Sequence, residues 1–338
     1  MIVIQDYTLA IVFSVLAMIF WGSWANTQKM VAKTWRFELF YWDLVIGIAL
    51  MSLVAAFTIG SIGSQGRTFL TDIGQADISS IIFAMLGGIL WNMGNILLVA
   101  AIAVAGMAIA FPIGGGIAWI LGIIVNYVLI LLSGQSATER PLILWIGVII
   151  IVSAIILSGK IFKGISKEKN QASGKGIWLS IIAGLFIAFF YGFVVKSLDP
   201  EFVSGGTGNL TPYTGIVFFA LGVVLSTLII NPIIMKKPIV GEPVSMALYW
   251  KGSLREHSSG VLGGMIWMLG MVVSFMAVGA ANPAISYALS NAAPVVAILW
   301  GIFIWKEFKG SPKGTDLLIA IMFICYLIGL ALITYSNA

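Results

Sequence analysis

Apolar runs of about 20 residues, each closed by a short polar or glycine-rich stretch, recur along the whole chain. At 1.5 Å of rise per residue, ~20 residues is the length an α-helix needs to cross a hydrocarbon core of ~30 Å. Ten such spans are predicted, near 7–28, 37–60, 78–104, 107–132, 142–161, 176–196, 213–235, 258–281, 284–305 and 315–335. The third and fourth meet at Ala105 and Gly106, and the eighth and ninth at Asn282 and Pro283, so each pair is expected to form a tight helical hairpin. No basic n-region precedes the first run, which has full span length and therefore reads as a retained helix.

Polar residues interrupt these runs in a few places only. In FWGSWANTQKM, residues 20 to 30, a rotation of 100° per residue puts Trp21, Trp24 and Gln28 on one face and Ser23, Asn26 and Thr27 on another. Such a helix has no purely lipid-facing side and must sit among other helices. The fourth span carries a stripe of Gly115, Trp119, Gly122 and Asn126, and PIGGG at 112–116 is expected to loosen its backbone toward a cavity. Trp91, Asn92 and Asn95 stand in the third span, Tyr191 in the sixth and Trp267 in the eighth. The ninth offers Tyr287, Ser290 and Asn291, with Pro294 one turn later. Two readings of these residues stand side by side. As a substrate site, flat rings stack on a planar or sugar ring while amides supply donors and acceptors. As structure, the same residues form an aromatic belt and interhelical contacts.

Composition and charge then narrow the class. With 60% apolar and 9% charged residues, and a mean hydropathy of +1.07, no soluble domain is plausible. Fifteen of the 18 basic residues fall in the odd-numbered loops, leaving Arg67, Arg140 and Lys196 on the other side. The positive-inside rule assigns the odd loops to the cytoplasm and both termini to the outside of a plasma or bacterial inner membrane. The pI of 9.2 is then a matter of topology, and nucleic-acid binding is excluded. Asp43, about a turn and a half inside the second span, is the candidate for proton coupling, the alternative being a structural aspartate paired with Lys29 or Lys33. Glu38 and Glu307 read as interfacial. The single cysteine, Cys325, lies in the last span, so no disulfide or thiolate metal site is expected. One histidine, His257, sits in a charged loop, and HExxH, GxSxG and P-loop motifs are missing. Neither an enzyme, a cofactor nor a metal is expected.

The chain is internally duplicated. GGILWNMGNILLVAAIAVAG at 87–106 aligns with GGMIWMLGMVVSFMAVGAAN at 263–282, matching Gly87, Gly88, Trp91 and Gly94 with Gly263, Gly264, Trp267 and Gly270. Phe20 to Gly22 similarly meets Phe190 to Gly192. Five spans per copy is an odd number, so the second copy enters the membrane from the opposite side. Inverted repeats around a midplane site are the architecture of secondary transporters. The expected units are residues 1–165 and 176–338, joined by a cytoplasmic linker at 166–175.

WGSW at 21–24, YWD at 41–43, FTIGSIG at 57–63 and FAMLGGILWNMGN at 83–95 resemble the drug/metabolite transporter superfamily, in its ureide permease and glucose/ribose porter branches. The resemblance covers most of the chain and is strongest over residues 17–130. It implies a fold of ten transmembrane helices in a 5+5 inverted repeat. It also implies a permease for a small uncharged polar solute such as a ureide or nucleobase, driven by proton symport with alternating access. Uptake of a glucose- or ribose-type sugar is the alternative, followed by a metabolite exporter or channel of the same fold. The expected partners are the solute, protons and membrane lipids, with the chain a monomer or weak homodimer. Plant ureide permeases carry a long central loop, and only about 15 residues, KIFKGISKEKNQASGKG, take its place here.

Overall fold

A computed structural model describes residues 1–105, 107–132, 134, 136–168, 174–199, 205–239, 241–281, 283–306, 309 and 311–336. The apolar runs all fold as α-helices, the form in which each backbone polar group is satisfied within its own segment. In chain order these are α1 (Tyr7–Ser23), α2 (Ala25–Val31), α3 (Phe37–Phe57), α4 (Phe69–Gln75), α5 (Ile78–Ala105), α6 (Met107–Leu132) and α7 (Pro141–Glu168). They are followed by α8 (Gly174–Ser197), α9 (Pro212–Lys236), α10 (Met246–Tyr249), α11 (Leu254–Ala281), α12 (Pro283–Ser290), α13 (Ala293–Leu299), a π-helical turn at Trp300–Ile304 and α14 (Thr315–Tyr335). Among the described residues, nine helical segments are long and apolar enough to cross a membrane. The expected fifth span corresponds to α7, whose described apolar part, Pro141–Leu157, falls short of that length. The chain is thus an α-helical integral membrane protein. Gly106, Asn282, Glu307 and residues 169–173 of the linker lie outside the described residues.

Two helices organise the bundle. α5 packs along α8 and α9, and α11 packs along α1 and α3, while α6 lies on α8 and α7 pairs with α14. Glycines set how closely they approach. A Cβ at Gly88 of α5 would overlap the carbonyl oxygen of Phe219 on α9, and one at Gly222 of α9 would overlap that of Met85 on α5. The same exchange joins α11 to α3, where Gly264 faces the Leu44 carbonyl and Gly47 faces that of Val261. With only hydrogen at these four positions, the backbones meet directly, as small residues allow in membranes.

The ninth span departs from expectation. It is broken at Asn291 and Ala292, between α12 and α13, because Pro294 has no N–H to offer the Ser290 carbonyl. The fourth span, expected to loosen at PIGGG, is instead continuous as α6. Pro112 stands near the start of that helix and forfeits one early hydrogen bond, while Gly114 packs on the Ser180 carbonyl and Gly116 on Ile155. Glu38, expected at the interface in a solvated or helix-capping role, stands in the first turn of α3, fully buried and held by Arg36, whose Nη2 and Nε lie 2.6 and 3.2 Å from the carboxylate.

At the end of the bundle opposite the lysine-rich loops, one guanidinium fastens two loops together. Arg67 donates to Asp72 at 2.7 Å, to Asp199 at 3.0 Å and to the carbonyls of Gly205 and Asn209 at 2.6 and 3.0 Å. Asp72 also accepts from the Thr211 backbone N–H at 2.7 Å. All three charged side chains are buried, so the ions share their charge with each other and the backbone instead of with water.

Candidate substrate cavity

Trp91 and Trp267, matched in the sequence repeat, each occupy the fourteenth position of a 28-residue helix, α5 and α11. Their rings meet at mid-bundle with centroids 4.0 Å apart. Trp21 stacks on Trp267 at 5.9 Å and donates its indole N–H to the Trp267 carbonyl at 3.0 Å. Phe219 stacks on the same indole at 5.6 Å. Trp24, at the step between α1 and α2, leans against Phe111 at 6.4 Å. The rings of Trp21, Trp24, Trp91, Phe111 and Trp267 enclose a cavity whose remaining wall comes from Leu98, Gly115, Ala118, Ile187, Phe190, Ala293 and Pro294, with Asn95 and Asn291 as its polar side chains. The break in the ninth span is what delivers Asn291 there.

The cavity's chemistry is neutral, flat and two-sided. Among its lining residues none is ionisable. Asn95 makes one long hydrogen bond, from Nδ2 to the Tyr41 hydroxyl at 3.4 Å, and Asn291 Nδ2 bonds its own helix at the Tyr287 carbonyl, 3.1 Å away. Both amide oxygens are left as acceptors with no partner among the described residues. The indole N–H groups of Trp24, Trp91 and Trp267 are likewise donors without a partner there. The cavity holds about 50 Å³ of space open to water-sized centres. One water takes ~10–15 Å³ on that measure and ~30 Å³ in the liquid, so the space suits about four waters, or one small ring in their place.

The other sequence candidates lie elsewhere. Asn92 is spent on structure: its oxygen accepts from Tyr41 at 2.7 Å and Thr227 at 3.1 Å, and its nitrogen donates to Ser226 at 2.8 Å. Gln28 donates to the Val99 carbonyl at 3.2 Å, and its buried oxygen has no partner among the described residues. Trp119 donates to the Ala288 carbonyl at 2.7 Å and stacks on Tyr326. Asn126 bonds the Gly122 carbonyl of its own helix at 2.8 Å. Tyr191 stands 3.4 and 3.3 Å from the hydroxyls of Ser274 and Ser286, edge-on to Tyr287, which itself donates to the Ala118 carbonyl at 2.7 Å. None of these six lines the cavity.

The polar residues of the opening motif find indole donors that sequence reasoning missed. Trp300 donates to Ser23 at 2.9 Å and Trp305 to Asn26 at 2.6 Å, which docks the first span on the ninth. The available signal was the unmet need of Ser23 and Asn26 for donors inside the membrane.

Asp43 also has other partners than expected. Neither Lys29 nor Lys33 pairs with it; Lys29 lies over the Trp305 ring, 4.7 Å from its centroid. The carboxylate accepts from the Tyr249 hydroxyl at 2.6 Å and faces His257 Nδ1 at 2.9 and 3.1 Å. His257, expected in a loop, belongs to the first turn of α11. Burial, reinforced by the carboxylate beside it, pushes the Tyr249 hydroxyl above its ordinary pKa, which keeps it a donor. Asp43 stands apart from the cavity lining.

The ureide permease family profile matches residues 40–175 and 166–336. Ureide permease 1 of Arabidopsis thaliana is 24% identical over 383 aligned positions that cover 97% of each chain, and Ureide permease 2 of the same plant is 23% identical over 97% of each. The alignments are longer than this chain because the relatives carry insertions. A Listeria innocua protein named for sugar uptake is 24% identical over 83% of this chain and 86% of its own. A solved crystal structure superposes over 98% of both chains with a TM-score of 0.59 at 15% identity, a likeness of fold alone. The profile match spans most of the sequence, so this chain belongs to the ureide permease family, a family of membrane permeases and not of enzymes.

Proposed function

We propose that the chain is a secondary permease for a small, uncharged, planar solute of the ureide or nucleobase kind, bound in the tryptophan cavity and carried by alternating access. The observation that carries this reading is a mid-span cavity with flat aromatic walls, unpaired N–H donors and carbonyl acceptors, and no charged side chain. Cyclic ureas and oxo-pyrimidines present the complementary edge, carbonyl beside N–H, on a flat ring that indoles can cover. The names of the plant relatives agree with this class. Trp21, Trp24, Trp91, Asn95, Trp267 and Asn291 are the proposed binding residues.

The proposed architecture is ten spans in two inverted units, 1–165 and 176–338, with the odd loops cytoplasmic and both termini outside. The exchange of glycine and carbonyl between α5 and α9 recurs between α11 and α3 at the spacing of the sequence repeat, which supports a duplicated fold. The proposed coupling group is Asp43, acting with His257 and Tyr249: a carboxylate bonded to an imidazole and a phenol can exchange a proton as the helices that hold them part.

Sugar uptake is the second reading, favoured by the Listeria relative's name. The experiment is a thermal-stability screen of the purified chain against allantoin, uracil, xanthine, glucose and ribose. A ligand of the folded state raises the melting temperature by mass action. Stabilisation by the planar heterocycles supports the proposal; stabilisation by glucose or ribose alone replaces it with the sugar reading.

A further inference from the structure

A second and larger hollow, about 690 Å³ against about 50 Å³ for the tryptophan cavity, lies at the lysine-rich end of the bundle between α3, α9 and the segment leading into α10. Trp42, Leu228, Pro232, Met235, Val244 and Met246 form its walls. The Trp42 indole donates to Met235 Sδ at 3.3 Å, which closes the floor by tying α3 to α9. Leu228 is 56% exposed and Met246 38%, so the slot opens on the outer wall of the bundle, where hydrocarbon lies. From Leu228 to Lys236 the helix runs eight residues, giving an apolar slot of ~12 Å.

Cations collect where this slot meets the aqueous side. Lys236 forms its rim and Lys237 follows, both exposed and neither with a partner among the described residues. Arg36 donates to the Glu242 carbonyl at 2.6 Å and Lys175 donates to the Ile239 carbonyl, so two more cations grip the same loop by its backbone. Of the nearby acids, Glu38 is held by Arg36 and Asp43 faces Tyr249 and His257, so the exposed Glu242 stands against the surplus of positive charge.

We infer that this slot binds one anionic phospholipid, with an acyl chain along Leu228 and Pro232 and the phosphate on Lys236 and Lys237. An apolar channel ended by a pair of flexible ammonium groups has the build of such a lipid in complement. A single charged contact at a membrane surface is worth about fivefold in affinity, so the pair gives about 25-fold preference for an anionic over a zwitterionic lipid of equal chains.

The test uses the purified full chain, delipidated in detergent, titrated with dioleoyl phosphatidylglycerol or dioleoyl phosphatidylcholine and read by native mass spectrometry. The expected result is one saturable phosphatidylglycerol held about 25-fold more tightly than phosphatidylcholine. Lys236→Gln with Lys237→Gln should bring the two lipids level, and Leu228→Trp, which fills the slot from an exposed position, should weaken both. Equal retention of the two lipids by the wild type, unsaturable binding, or a preference that survives loss of both lysines would overturn the inference.

Discussion

Asn95 and Asn92 lie one helical turn apart on α5, look alike in sequence, and should fail in opposite ways. Replacing Asn95 by leucine keeps the branched shape and the number of heavy atoms and removes one long hydrogen bond, the 3.4 Å contact to Tyr41, which still has Asn92 at 2.7 Å. The fold should lose less than about 1 kcal/mol, and the melting temperature should stay within about 2 °C of wild type. A bound solute, by contrast, would turn a buried N–H toward a methyl group. That orphaned donor costs ~1–3 kcal/mol, or roughly 5- to 150-fold in Kd. Asn92→Leu does the reverse: it strips Tyr41, Ser226 and Thr227 of a shared partner at 2.7, 2.8 and 3.1 Å. Ser226 and Thr227 keep helix carbonyls at 3.1 and 2.7 Å, whereas Tyr41 keeps only a long 3.4 Å contact to the backbone carbonyl of residue 92, so the fold should lose about 1–3 kcal/mol. The assay pairs calorimetric titration, with whichever solute the stability screen identifies, with thermal unfolding of both variants. Wild-type affinity in Asn95→Leu, or destabilisation equal to that of Asn92→Leu, would refute the assignment of Asn95 to the solute.

Trp24→Ala should weaken solute binding by roughly 1–3 kcal/mol, the worth of one stacking face, with insertion unchanged; unaltered affinity would make Trp24 a packing residue. Gly88→Ala and Gly222→Ala should each cost about 1–3 kcal/mol in unfolding measurements, and together less than their sum, because both force the same two helices apart; strict additivity would contradict the shared contact. Arg67→Met should destabilise by about 3–5 kcal/mol, since it leaves Asp72 and Asp199 buried without their cation, and a loss under about 1 kcal/mol would show the network to be slack. Asp43→Asn should abolish concentrative uptake into proteoliposomes under an inward proton gradient yet spare counterflow exchange. Wild-type uptake indifferent to that gradient would remove proton coupling.

What could be read in advance follows from range. Span positions come from local hydropathy, and the matched glycines Gly88 and Gly264 both turn out to lie against a backbone carbonyl of a neighbouring helix, those of Phe219 and Leu44. Cavity membership was legible for Trp91 and Trp267, which the repeat singles out together, but not for separating them from Trp119. All three are mid-span tryptophans, and only the structure shows that Trp119 spends its N–H on Ala288. The Asp43 pairing was hidden by distance along the chain, 214 residues from His257, and nearby lysines gave a false local choice. The helix break was misplaced because a Pro–Gly cluster was weighed as composition. Pro112 sits where a helix has little to lose, whereas Pro294 falls in mid-span.

The neutrality of the cavity has an electrical consequence. Moving one elementary charge across a membrane potential of 100 mV exchanges ~2.3 kcal/mol, but a site lined by indoles, amides and aliphatics carries no such charge through the alternating access proposed above. With an uncharged solute aboard, the loaded site is as indifferent to voltage as the empty one. Under that proposal, any current that accompanies transport counts the coupling ion alone. The charge moved per solute is then a direct stoichiometry, readable on an electrode without knowing which solute the cavity holds.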